Sequence, residues 1–166
     1  MILAALALAA LALAATPASA ATPASAATPQ AAIATIYAPF NDTRVQVAPF
    51  DRPIFTPQLK ALITKWLAVT PTDEVDDLSD FDWLCQCQDW DSPIFRARIV
   101  GNRRLGPGRR AVTVSLGSRH APLRFVLQQA GGQWLIDDIF ASGFRGGLRA
   151  SLIRTTAADI ALRKQR

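Results

Sequence analysis

The pattern of hydrophobic and polar positions separates an export segment at the start of the chain from the domain that follows. Residues 2–15 are Ala and Leu with one Ile and carry no charge. This run is shorter than the about 20 apolar residues of a membrane-spanning helix. The small-residue sequence ATPASA then occurs twice in succession, which supplies an A-x-A cleavage site. We predict a signal peptide over residues 1–20, with an alternative end at residue 26, and an Ala/Pro/Thr linker over residues 21–32.

Two segments of helical spacing open the predicted domain, which covers residues 33–166. In the first, apolar residues recur at intervals of three and four until Pro39. The second begins with Thr56 and Pro57, an N-cap followed by a first-turn proline, and ends before Pro71. The apolar positions are Ile33, Ile36, Tyr37 and Phe40 in the first helix, and Leu59, Leu62, Ile63, Trp66 and Leu67 in the second.

Four extended segments follow an acidic, irregular stretch over residues 72–91. Short turns rich in Gly and Pro separate them, so we expect successive strands to pair as an antiparallel meander. A short C-terminal helix is predicted over residues 148–162. The pattern favours an α+β fold in which the N-terminal helices pack in the hollow of a curved four-stranded sheet. The strands are predicted at residues 94–100, 111–116, 123–129 and 133–140.

Charge is distributed unevenly along the chain, although the formal net charge is only +5. Residues 40–91 carry ten acidic and four basic side chains, whereas residues 96–166 carry three acidic and fourteen basic ones. We expect part of this charge to pair inside the domain and the remainder to form a basic face. We expect no nucleic acid partner, because an exported protein seldom meets one and the arginines lack interleaved aromatic residues.

Cys85 and Cys87 are the two cysteines of the chain, in the arrangement Cys-Gln-Cys. We rank structural or unpaired thiols first and a local disulfide second, because extended positions two apart place their Cα atoms about 7 Å from each other. Zinc needs three or four ligands, and His120 is about thirty residues away. The acidic stretch lacks the EF-hand spacing. We therefore predict no metal and no cofactor.

Two motifs resemble those of an exported bacterial family, the domain of unknown function numbered 3828. The first covers residues 80–91, where Asp80-Phe81-Asp82 leads to Gln88-Asp89-Trp90, and the second is Gly131-Gly132-Gln133-Trp134-Leu135-Ile136-Asp137-Asp138-Ile139. The resemblance covers residues 31–154. It implies a cone-shaped fold similar to that of nuclear transport factor two, and it implies no established activity.

The candidate chemistry lies in these acidic and aromatic residues. A carboxylate that neighbouring rings shield from water acquires a raised pKa and suits a general base, yet the chain offers one Tyr and one His as partners. Asp137 and Asp138 are adjacent, so regular strand geometry places them on opposite faces. The candidate binding residues are Asp80, Asp82, Gln88, Asp89, Trp90, Trp134 and Asp137.

The leading hypothesis from the sequence is a periplasmic or secreted binding module, and we assign no catalytic residues. Its expected partner is an unknown small molecule or an envelope protein, and an immunity or inhibitor role is one version of this hypothesis. No membrane anchor is expected, and the oligomeric state stays open. One alternative is an isomerase or hydrolase that uses Asp82 or Asp89 as its base, and another is a structural envelope protein. An open apolar hollow would favour the enzyme.

Overall fold

Two helices, a four-stranded sheet and a third helix follow one another along the chain. The computed structural model describes residues 27–41, 48–70, 78–88, 97–117, 121–144 and 146–165. The predicted signal peptide therefore lies outside the described residues. The helices are α1 (Pro29–Tyr37), α2 (Pro57–Leu67) and α3 (Leu148–Arg163), and the strands are β1 (Arg98–Gly106), β2 (Arg109–Ser115), β3 (Leu123–Ala130) and β4 (Gln133–Phe140).

Both N-terminal helices begin with a threonine cap followed by proline. The Thr28 hydroxyl accepts the backbone N–H of Ala31 at 3.1 Å, and the Thr56 hydroxyl accepts that of Leu59 at 3.3 Å. Such caps satisfy N–H groups that have no partner within the helix. The start of α2 confirms the prediction from the sequence. By contrast, α1 begins four residues earlier than predicted, inside the segment assigned to the linker.

The strands form one antiparallel sheet in the order β1-β2-β3-β4, which confirms the predicted meander and the α+β class. On the inner face, Val112, Phe125 and Ile139 belong to the buried core. The helices sit on this side and beside the sheet. At 16 residues, α3 is the longest described helix.

The first residues of α2 are attached to the β4 edge of the sheet. The N–H of Thr56 donates to the carbonyl of Ile136 at 2.8 Å, and the N–H of Ile136 donates to the carbonyl of Ile54 at 2.8 Å. These bonds cover part of an edge whose backbone groups would otherwise lack partners. They also place the Thr56 cap beside the next residue of β4, Asp137.

Three residues interrupt the regular pairing of the strands. Val100 and Leu105 are skipped in the register between β1 and β2, and Asp137 is skipped in the register between β3 and β4. Each is the extra residue of a β-bulge, which bends its strand and redirects the neighbouring side chains. No helix in the described ranges is long and apolar enough to cross a membrane.

Candidate functional site

A tight turn between α2 and β1 contains the first predicted motif. One oxygen of Asp82 accepts the backbone N–H of Leu84 at 2.7 Å and that of Cys85 at 3.1 Å. The backbone N–H of Asp82 donates to the carbonyl of Cys87 at 2.8 Å, and its carbonyl accepts the N–H of Gln86 at 2.8 Å. These bonds use the Asp82 carboxylate to hold the turn, which is a common structural role of aspartate.

The two cysteines are joined by a disulfide in this turn. Their Cα atoms lie 5.2 Å apart, which is shorter than the about 7 Å between extended residues two positions apart. The chain achieves this distance because Gln86 adopts the left-handed backbone region, with φ at 56°. The Gln86 side chain also donates to the carbonyl of Trp83 and accepts the N–H of Gly143, so it connects the turn to the segment that leads into α3.

The exposed rim of the turn carries the pair formed by Asp80 and Gln88. The Gln88 amide donates to the Asp80 carboxylate at 2.8 Å, and both residues are exposed. Asp89 and Trp90, which complete the predicted motif, lie outside the described residues. Of the first motif, the described structure thus brings Asp80 and Gln88 together at the surface.

A buried polar group lies beneath the turn. The Tyr37 hydroxyl donates to the carbonyl of Leu84 at 2.8 Å, and Arg52 donates to the carbonyls of Thr35 and Ile36 at 3.1 and 2.6 Å. Arg52 therefore satisfies carbonyl groups at the end of α1 that have no partner within the helix. The hydrophobic pattern did not identify this role, because it depends on contacts between distant parts of the chain.

The same environment shifts the protonation of three groups. Burial raises the pKa of Tyr37, and the charge of Asp82 raises it further, whereas Arg52 lowers it. Burial also raises the pKa of Asp82, against the opposing effects of the Leu84 and Cys85 N–H groups and of Arg52. The pKa of Arg52 is lowered by burial, and Asp82 and Tyr37 oppose this shift.

Side chains fill the hollow of the sheet. Trp83 and Phe125 have no exposed surface and Trp66 has 1%. The rings of Trp66 and Trp83 pack with their centroids 5.6 Å apart, and Tyr37 meets Phe125 edge to face at 6.3 Å. An enzyme of the isomerase type needs room here for its substrate. These packed rings occupy the hollow in which the general-base hypothesis would place a substrate.

Asp137 lies in a separate cluster at the bulge of β4. Its carboxylate accepts bonds from Arg109 at 2.9 Å, from Arg149 at 3.0 Å and from the Thr56 hydroxyl at 3.2 Å. The Asp137 side chain is 11% exposed, whereas those of Arg109 and Arg149 are 48% and 34% exposed. The carboxylate on β4 therefore links this strand to β2, to the start of α2 and to α3.

The bulge also changes the direction of the neighbouring carboxylate. Asp138 accepts the backbone N–H of Arg149 at 3.0 Å and so caps the start of α3, while the guanidinium of Arg149 holds Asp137. Both carboxylates thus reach the same residue, and the extra residue interrupts the regular strand alternation on which the expectation of opposite faces rests. Burial raises the pKa of Asp138, and the Arg149 and Ile139 N–H groups oppose this.

The start of α3 approaches Asp138 closely at Gly147. A Cβ atom at this position would lie 2.7 Å from a carboxylate oxygen of Asp138, and the backbone has φ at 100°. Both features require glycine. The second predicted motif also includes Trp134, which is half-buried and pairs with Gln129. The described contacts of Asp137 and of Asp82 share no residue.

The described surface has a shallow apolar groove between α2 and α3. Its cavity volume is about 170 Å³, below the about 300 Å³ at which small-molecule sites begin. No three His, Cys, Asp or Glu side chains converge in the described ranges as a metal site would require. The groove is lined by Leu62, Lys65, Ile153, Thr156, Ala157 and Ile160.

No protein-family model and no curated protein sequence matches the chain. A solved structure is similar: a chain of the type VI native effector-immunity complex Tae3-Tai3 from Ralstonia pickettii. The two chains are 22% identical and superpose with a TM-score of 0.51. The alignment covers 71% of this chain and 98% of that chain. At this identity the likeness shows that the two chains share a fold.

Proposed function

We propose that the chain is an exported binding module that holds a partner protein and catalyses no reaction, with an immunity or inhibitor role. The observation that carries this proposal is the filled hollow. A curved sheet with helices on one side can hold a small molecule in that space, and here Trp66, Trp83 and Phe125 occupy it. The groove between α2 and α3 is too small for a typical ligand. A protein partner needs no cavity, because it binds an exposed surface.

The similar solved structure also supports a role in binding a protein. It is a chain of a complex between an effector and an immunity protein, and we propose that this chain likewise neutralises a toxic partner by binding it. The signal peptide over residues 1–20 stays a prediction, and the proposal places the bound partner in the periplasm or outside the cell. The resemblance to the family numbered 3828 also stays a prediction.

The candidate contact residues divide into two groups. Asp82 and Asp137 are used within the fold, since their carboxylates accept bonds from the turn backbone and from two arginines. Asp80 and Gln88 are exposed, so we keep them as proposed contacts at the rim. Replacing both with alanine tests this, because the substitutions remove the rim pair and leave the Asp82 turn intact.

A competition experiment tests the immunity role. Cells of the source bacterium that lack the gene are grown on a surface with the parent strain. We expect the parent to outcompete them, and the full chain to restore survival. A chain without residues 1–20 should fail to restore it if the partner acts outside the cytoplasm. Equal growth of the deletion strain and the parent, under conditions in which the parent kills unrelated competitors, would overturn the immunity role.

A further inference from the structure

The outer face of the sheet carries a group of exposed arginines. Val112 and Val114 of β2 belong to the core, so the alternate residues Ala111, Thr113 and Ser115 face outwards. The strand register places one arginine opposite each of these three residues, on a neighbouring strand. We call this surface the arginine face, and its arginines are Arg98, Arg103 and Arg124, all of them exposed.

Among the residues that the structure describes, little acidic charge balances the arginine face. Within the described residues, the side chains of Arg98 and Arg103 make no ion pair or hydrogen bond, and the Arg124 guanidinium lies over the ring of Phe140 at 3.9 Å from its centre. The carboxylates of Asp137 and Asp138 are already occupied by Arg109, Arg149 and the start of α3. The positive charge is therefore available to an external acidic group.

The edge of the sheet is poorly suited to binding by an added strand. β1 is an edge strand, but bulges at Val100 and Leu105 interrupt its regular pairing of backbone groups. Bulges and charged residues on an edge strand disfavour pairing with a further strand. Contact through the side chains of the outer face does not depend on an unbroken edge. The geometry thus favours the face over the edge as the binding surface.

The composition of the face fits a protein. The bulge residues Val100 and Leu105 are 57% and 39% exposed, so the strand that carries Arg98 and Arg103 also exposes apolar side chains. Arginine with apolar contacts is typical of protein interfaces, and the planar guanidinium binds carboxylates through two bonds. Phe140 is the single aromatic ring on the outer face of the described strands, and Arg124 covers it. Sites for single-stranded nucleic acid stack bases on several open rings.

We propose that the arginine face docks an acidic surface of the partner protein. This inference rests on the proposed function and specifies which surface is used and what chemistry the partner presents. Electrostatic attraction of this kind speeds association and weakens as salt screens the charges.

The test starts from the chain expressed from its full sequence with a C-terminal tag. The protein that it captures from envelope extract is identified by mass spectrometry, purified, and titrated against the chain. The first variant is Arg98→Glu/Arg103→Glu, whose wild-type side chains have no described polar partner. The matched control is Lys65→Glu/Lys164→Glu, on the groove and at the end of α3. Each pair lowers the formal net charge from +5 to +1.

We expect the arginine-face variant to weaken binding of the purified partner about tenfold or more, and the control to change it less than about twofold. Affinity of the wild type should fall between about 0.05 and about 0.5 M NaCl, and the variant should show a smaller fall. A charge swap tests the contact directly: an acidic residue of the partner is replaced by arginine, and the altered partner is titrated against Arg98→Glu/Arg103→Glu. We expect this swap to restore binding. Thermal melting of both variants checks that they fold. If Arg98→Glu/Arg103→Glu does not fold, the neutral variant Arg98→Gln/Arg103→Gln replaces it in the titration.

The other outcomes separate the two proposals. If no protein is captured at a fixed ratio, the proposed function fails. If a partner binds equally well to the arginine-face variant, or is lost with the helix control instead, the function stands and this inference is overturned. Binding to phosphatidylglycerol vesicles that depends on Arg98 and Arg103, without binding to any captured protein, would also overturn it.

Discussion

Replacing Asp137 tests whether this carboxylate holds the fold together or contacts a partner. Asp137→Ala removes the acceptor of two arginine bonds and of the Thr56 hydroxyl bond. Because Arg109 and Arg149 are partly exposed, each ion pair is screened and contributes about 0.5–1 kcal/mol. The hydroxyl bond adds about 1 kcal/mol. The free energy of unfolding should therefore fall by about 2–3 kcal/mol.

Urea unfolding followed by tryptophan fluorescence measures this loss, because Trp66 and Trp83 are buried in the core. We expect the melting temperature to fall by about 10 °C, because a loss of about 1 kcal/mol lowers it by a few degrees in a domain of this size. The control is Asp159→Ala, since Asp159 accepts one described hydrogen bond, from Thr70 at 3.2 Å. If Asp137→Ala is no more destabilising than this control, yet abolishes partner binding, the structural role of Asp137 is refuted.

Three further substitutions test other parts of the structure. Burial raises the pKa of Asp82 in the folded state, so its contribution to the free energy of unfolding falls as pH rises from the ordinary carboxyl pKa to the raised value. Asp82→Asn should therefore be more stable relative to wild type at pH 7 than at pH 4, and parallel urea profiles at the two pH values would contradict this. Joining Cys85 to Cys87 closes a three-residue loop, so Cys85→Ser/Cys87→Ser should lose about 1.6 kcal/mol of chain-entropy stabilisation. Addition of two alkyl groups to wild type when the reductant is left out would show that no disulfide was present. Gly147→Ala forces a strained backbone and a clash with Asp138, and should cost about 2–3 kcal/mol in urea unfolding; a loss below about 1 kcal/mol would contradict the close approach.

Local signals explain why much of the fold was predictable from the sequence. Thr56 and Pro57 define the start of α2 through local contacts alone. The glycine-rich turns likewise mark where strands end, whatever the position of the sheet in the fold. The early start of α1 was missed although Thr28 and Pro29 carry the same capping signal, because these residues continue a run of repeated Thr-Pro sequence. The first strand was predicted to end at residue 100, whereas β1 continues to Gly106. Its second half is largely polar and exposed, so apolar residues do not mark where pairing ends.

The candidate site was less predictable because it depends on tertiary register. The direction of Asp137 follows from a bulge, and a bulge is decided by how β4 aligns with β3. The role of Arg52 follows from its position under α1, more than ten residues away in sequence. The short distance between the cysteines follows from the left-handed conformation of Gln86, which is not a residue that ordinarily marks such a turn.

The attachment of α1 has a consequence for the order in which the chain assembles. Its last carbonyls are held by Arg52, and the Tyr37 hydroxyl is held by the carbonyl of Leu84. When the chain emerges N-terminus first, from a ribosome or from a translocation pore, α1 appears before Arg52 and before Leu84. A nine-residue helix has little stability alone. The first helix to emerge should therefore be among the last to become fixed, because its contacts wait for Arg52 and for the turn at residues 82–87.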